Sequence, residues 1–327
     1  MELDRKDRKI LYHLDLDARQ SAAAIAKKVG LSKDAVHYRM SRLQRAGVIR
    51  HFYTVLNIPQ MGFMHFSTLF RFSTINEGIK EEFIGFCRAH ERVIWCVSCY
   101  GSWDFGVSFL ARSIDEYQRF ITTILNRFGR NIHEKAMSLI LDSPTFSREY
   151  LIDGKQGKEF KYAAAEPVEI DLIDHNILSV ISQHADITAV EIAHKLGLTV
   201  DIVRYRIRQL QKWNIIQGFR AALSLEQIGY LYYKLLFTLK DLTVEKERAF
   251  LQYCRTNPHI TQFIRYLGNW EIQIELEVPS EKRLFEIIEG LRNTFGDIIK
   301  TYDVLKLKEE KLDYYPFNLM PAAGRSP

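Results

Sequence analysis

Apolar residues fall at helical spacing in three runs over the first fifty positions, each opened by a capping residue. Asp4, with Asp7 three residues on, opens a helix that turns Ile10, Leu11 and Leu14 inward. Ser21 opens a second, with Ile25, Ala26 and Val29 inward, and Gly30 supplies the positive φ that ends it. Ser32 caps a third, whose inward residues are Val36, Met40 and Leu43, and Gly47 closes it. The period then changes. Residues 48–56 read as an arm or hinge strand, 66–72 alternate as a strand, and a helix follows with Phe83, Phe86 and Cys87 inward. Strands over 93–100 and 104–111, a helix with Tyr117, Phe120, Ile121, Ile124 and Phe128 inward, and a strand over 136–141 complete a βαββαβ order. A sheet with helices on one face leaves its other face open, so packing against a second such sheet is expected.

The whole pattern occurs twice. An offset of 167 residues matches Gly30-Leu31-Ser32 with Gly197-Leu198-Thr199, and Asp34, Val36, Tyr38, Arg39, Leu43 and Gln44 with Asp201, Val203, Tyr205, Arg206, Leu210 and Gln211. It still holds at Gly62/Gly229, Cys87/Cys254, Gly101/Gly268, Trp103/Trp270 and Phe128-Gly129/Phe295-Gly296. One constant offset over this length marks a duplication. The expected fold class is α+β: two copies of a winged helix-turn-helix followed by a ferredoxin-like domain. The expected boundaries are 1–60 and 61–150 for the first copy, an exposed linker over 151–168, 169–227 and 228–317 for the second, and a tail over 318–327. The tether raises the local concentration of each copy for the other, so the chain should form an internal pseudo-dimer.

Two short helices joined by a glycine turn, the later one capped by Ser or Thr, describe a helix-turn-helix. The third helix would read DNA through Ser32, Lys33, His37, Tyr38, Arg39, Arg42 and Arg45 in the first copy. In the second copy the candidates are Thr199, Arg204, Tyr205, Arg206, Arg208 and Lys212. Donor-rich side chains at i, i+4 spacing suit phosphates and major-groove base edges. Asp34 and Asp201 would repel phosphate there, and are expected to cap the helix or to accept from cytosine N4. Charge supports the reading: residues 1–50 hold 12 basic and 6 acidic side chains, a net +6, against +5 for the whole 327-residue chain. Residues 167–220 hold 6 of each, so the second head is neutral.

Other chemistry is sparse. Cys96 and Cys99 have CxxC spacing but fall in a strand, where residues three apart face opposite ways, so no metal or redox site is expected. Glu271, Gln273, Glu275 and Glu277 share one face of a strand; such a stripe suggests a cation or amine site, and cross-strand pairing with Lys234 and Lys240 is the expected account. Four cysteines, a charged N-terminus and no apolar run near 20 residues point to the cytoplasm and away from a membrane. No Walker loop, HExxH or GxSxG motif occurs, and no cofactor or catalytic residue is expected.

Leu3-Asp4 with Asp7 and Ile10-Leu11, Gly30-Leu31-Ser32 through Arg39 and Leu43, Gly47-Val48-Ile49, and Gly101-Ser102-Trp103-Asp104 together resemble the Lrp/AsnC family of prokaryotic transcription regulators. The resemblance runs over nearly the whole chain, twice. It implies double-stranded DNA as partner, paired hinge strands, C-terminal sheets packed together, and higher assembly of whole chains. It also implies an amino-acid effector near the Gly-x-aromatic-Asp turn, here Gly101, Ser102, Trp103 and Asp104, and Gly268, Asn269, Trp270 and Glu271. The second position, usually acidic, is Ser102 or Asn269, and Glu271 replaces the aspartate. Sirohaem decarboxylases share this fold and resemble one another through a His- and Arg-rich stretch equivalent to 94–104. Neither Ile94-Trp95-Cys96-Val97-Ser98-Cys99-Tyr100 nor Gln262-Phe263-Ile264-Arg265-Tyr266-Leu267 contains a histidine, so the enzyme stands as the alternative and the regulator as the expectation.

Overall fold

Each capping signal opens a helix in the computed structural model, which describes residues 2–152, 157–162 and 166–312. The first copy runs α1 (Arg5–Leu16), α2 (Ala22–Val29), α3 (Lys33–Arg45), β1 (Ile49–Leu56), β2 (Met64–Phe72), α4 (Glu77–Ala89), β3 (Val93–Tyr100), β4 (Phe105–Ala111), α5 (Ile114–Phe128) and β5 (Ile132–Asp142). Two short strands, β6 (Thr145–Phe146) and β7 (Glu159–Phe160), lie between the copies. The second copy runs α6 (Leu172–Ile181), α7 (Ala189–Leu196), α8 (Val200–Lys212), β8 (Ile216–Leu223), β9 (Leu231–Leu239), α9 (Val244–Thr256), β10 (Ile260–Leu267), β11 (Ile272–Val278), α10 (Glu281–Phe295) and β12 (Ile299–Leu312). Asp4 and Asp171 each form a capping box, while Gly30 and Gly197 adopt the left-handed conformation that ends α2 and α7.

The hinge strands pair with each other inside the chain. β1 and β8 run antiparallel with Ile49 opposite Leu223 and Leu56 opposite Ile216, a register that the 167-residue offset maps onto itself. The flanking bonds obey the same pseudo-two-fold. Ala185 N–H donates to Phe52 O and Ala18 N–H to Phe219 O, both at 2.9 Å. The two heads therefore share one apolar core, running from Leu3 through β1 and β8 to Ile228.

Each ferredoxin-like sheet finds the other at both edges. β5 pairs with β10, β12 pairs with β3, and β10 pairs with β11, so eight strands in the order β11-β9-β12-β3-β4-β2-β5-β10 close on themselves. Closure removes the open edges of both sheets. The helices pack outside, over Phe70, Phe83 and Phe128 in one copy and Phe237, Phe250 and Phe295 in the other. Leu69, Val97, Trp103, Leu236, Trp270 and Leu305 meet inside.

Two expectations need correction. β5 begins at Ile132, four residues earlier than the alternation suggested, because it pairs with β2 as far as that strand's last residue, Phe72. The segment between the copies is not wholly an exposed linker. Thr145 and Phe146 pair with Phe160 and Glu159, Phe160 is buried, and the Tyr162 hydroxyl lies 2.9 Å from His65 Nδ1. The aromatic pair at 160 and 162 supplies an apolar period that the surrounding charges hid. The remaining linker positions, 153–156 and 163–165, and the expected tail lie outside the described residues.

Candidate nucleic-acid interface

The third helix of each head offers one solvent face. In α3, Lys33, Asp34, His37, Tyr38, Ser41 and Arg45 are exposed, and in α8 so are Asp201, Arg204, Tyr205, Arg208 and Lys212. Ser32 and Thr199 each accept the N–H three residues on, which leaves Asp34 and Asp201 free of the capping role. Tyr38 and Tyr205, equivalent by the offset, are 64% and 55% exposed, far more than a tyrosine with only a packing role needs. The Gln209 amide donates to the Tyr205 hydroxyl at 3.0 Å, and Arg204 lies 4.0 Å from Asp201.

Arg39, Arg206 and Arg42 are used differently from the expectation. Arg39 Nη1 donates to Asp4 at 2.6 Å and to Asp7 at 2.8 Å, and Arg206 Nη1 reaches Asp171 at 2.8 Å and Asp174 at 3.2 Å. Arg42 Nη2 donates to Asp7 at 2.5 Å. Asp7 and Asp174 are buried beside the capping boxes, so these arginines clamp the recognition helix to the first helix of its head. Slight desolvation disfavours the Asp4 carboxylate, but Arg39 and the Asp7 N–H outweigh it and hold its pKa below the usual range. Burial and the neighbouring Asp171 push Asp174 up.

The two Gly-x-Trp turns stitch the barrel. A Cβ on Gly101 would sit 2.8 Å from Val304 O, and one on Gly268 would sit 2.7 Å from Met137 O, each on a strand of the other copy. Trp103 and Trp270 meet edge to face at 5.8 Å. Asp104 accepts the Phe72 N–H and Glu271 the Leu239 N–H, both at 2.7 Å, so the Asp-to-Glu change keeps the same bond. Ser102 Oγ donates to Asp303, and the Asn269 N–H to Ser138 Oγ. Gly101, Ser102, Trp103, Gly268, Asn269 and Trp270 thus lie against the other copy, while Asp104 and Glu271 bond within their own.

The carboxylate stripe lies inside the closed barrel, not on an open sheet face. Lys234 stands opposite Glu275, as alternation required, whereas Lys240 lies beyond β9 and is exposed. Glu277 is taken by Arg148 in two bonds of 2.8 and 3.0 Å and by the Tyr150 hydroxyl. Arg148 also bonds Asp15 of the first head at 2.7 Å, and Arg220 of β8 reaches the same carboxylate at 2.7 Å. This knot ties α1, β8 and the barrel together. Cys96 and Cys99 face opposite sides of β3, and no group of three potential metal ligands occurs among the described residues. No described helix is long and apolar enough to cross a membrane.

Two heads with donor-bearing third helices, mounted on one closed barrel, define a DNA-binding regulator. A winged helix-turn-helix DNA-binding family model matches residues 3–50 and again 170–217. The HTH-type transcriptional regulator AldR of Mycolicibacterium smegmatis is 32% identical over 126 residues, 38% of this chain and 74% of that protein. The proline dehydrogenase transcriptional activator of Rhizobium radiobacter is 33% identical over 121 residues, 37% of this chain and 78% of that protein. Among solved structures, the siroheme decarboxylase NirDL matches over 96% of this chain and 94% of its own, with a TM-score of 0.63 and 11% identity. That likeness concerns the fold. The chain belongs to the Lrp/AsnC family of transcription regulators, as a tandem duplicate with two recognition helices.

Proposed function

We propose that one chain places both heads on one DNA duplex and reads two unlike half-sites. The observation that carries this is the β1–β8 pairing, which sets one head of each kind about a pseudo-two-fold. Lys33 and Arg45 of α3, and Arg208 and Lys212 of α8, would take phosphates. His37 and Tyr38 would face one set of base edges, and Arg204 and Tyr205 the other. Selection of sites from randomised duplexes by the intact chain should return an imperfect palindrome. Arg204→Ala should relax one half-site by about 1–3 kcal/mol per base pair and leave the other unchanged. A perfect palindrome, or a single half-site, overturns the reading. Whole chains would associate further through exposed apolar residues such as Tyr100 and Leu267, which are equivalent by the offset.

The chain is read as acting by binding, not by catalysis. The likeness to NirDL over nearly the full length is the observation that favours a tetrapyrrole decarboxylase instead. The expected result on incubation with sirohaem is recovery of all carboxylates unreacted. Loss of carbon dioxide in excess of enzyme would establish the second reading.

A further inference from the structure

The two copies differ in polarity inside the barrel. The offset sets Ser67 against Lys234, Gly106 against Gln273, Ser108 against Glu275 and Leu110 against Glu277. At each of these positions the first copy has a small or apolar residue and the second a large polar one. A barrel of two identical sheets would bring two lysines into one interior, where each buried charge costs several kcal/mol. Fusion allows a single lysine at this place, and Ser108, where the second copy has Glu275, borders open space. A cavity of about 1140 Å³ results, lined by the barrel, by β1 and β8, and by Phe160 and Tyr162.

Its polar groups are incompletely matched. Lys234 is 2% exposed, with Nζ 3.8 Å from Glu275 Oε1, beyond hydrogen-bond length, and 4.4 Å from the centre of the Trp95 ring. Glu275 is already served by the Tyr232 hydroxyl and, at 3.0 Å, by the Gln273 amide. His65 gives Nδ1 to Tyr162, and its buried Nε2 has no partner among the described residues. Burial holds Lys234 below the usual lysine range despite Glu275, and burial holds Glu275 above the usual carboxylate range. Lysines and arginines outnumber glutamates around the wall, which favours an anion.

We propose that this cavity binds a small organic carboxylate with an aromatic body, its carboxylate accepting from Lys234 Nζ and His65 Nε2 and its ring lying against Trp95. The volume exceeds the roughly 300–1,000 Å³ of most small-molecule sites and is ample for two fused rings. The test needs no DNA and so stands apart from the half-site reading. Calorimetric titration of the intact chain with 2-naphthoate, and with neutral 2-naphthamide, is done at about 0.3 M salt to screen the basic first head. One naphthoate should bind per chain, about tenfold tighter than the amide. Lys234→Met should erase the preference, Lys234→Arg restore it, and Ser108→Phe, which fills the space, abolish binding of both. Equal affinity for the two probes, or no saturable naphthoate binding by the parent chain, overturns the proposal whether or not the variants fold. So does a folded Lys234→Met chain that keeps the preference.

Discussion

Replacing Lys33, Arg45, Arg208 and Lys212 with alanine should weaken binding to any duplex by roughly 100-fold at fixed salt. It should also flatten the dependence of affinity on salt. Each lost phosphate contact removes about 0.9 from the slope of log K against log salt, so four remove roughly 3–4. All four side chains are exposed on the third helices, whereas Arg42 and Arg206 are committed to ion pairs within their heads. Arg39→Ala supplies the contrast. It leaves Asp7 buried with Arg42 alone, so its main effect should appear in thermal melting. Filter binding at several salt concentrations reads the slope. A quadruple variant as tight as the parent at every concentration removes the third helices from the interface.

The largest loss of stability should come from Asp15→Ala. Asp15 is fully buried, and its carboxylate accepts from Arg148 and from Arg220, which is itself 2% exposed. Removing it strands the Arg220 guanidinium in a low dielectric and leaves Arg148 with Glu277 alone, which costs about 3–5 kcal/mol and lowers Tm by on the order of 10 °C. Burial alone would raise the Asp15 pKa, but Arg220 and Arg148 outweigh it and hold it below its ordinary 3.8. A depressed carboxyl stabilises the fold above its unfolded pKa and loses that contribution as pH falls through the folded value. The gap in Tm between parent and variant should therefore be constant at neutral pH and shrink below about pH 4. A gap that widens in acid, or a variant that melts with the parent, contradicts the knot.

Most of the architecture was legible because it depends on local signals that occur twice. Asp4 with Asp7, Ser32 and Gly30, and their partners at 171, 174, 199 and 197, give helices, turn and head without reference to anything distant. The site was only half legible. Periodicity assigns Lys234 and Glu275 to one face of a sheet but is silent on what covers that face, and closure turned an apparent surface into an interior. Arg39 and Arg206 look like DNA ligands because a basic residue on a helix carries no mark of a carboxylate 32 positions away. The repeated trio Asp4/Asp7/Arg39 and Asp171/Asp174/Arg206 was the available signal. His65, Arg148 and Asp15 gave none, since each meets its partners through contacts spanning 97 residues or more.

The shared core of the two heads has a consequence for how the chain is made. The strand that completes the first head, β8, begins roughly 160 residues after β1 has left the ribosome. At 5–20 residues per second that is an interval of roughly 8–32 s. Throughout it, β1 is an unpaired edge with Ile49, Phe52 and Leu56 uncovered, the kind of strand that joins another chain's. Neighbouring ribosomes on one message carry the same unpaired strand at high local density. The order of synthesis thus sets the tether against the polysome, and the pairing reached first decides whether the product is one self-contained regulator or two entangled ones.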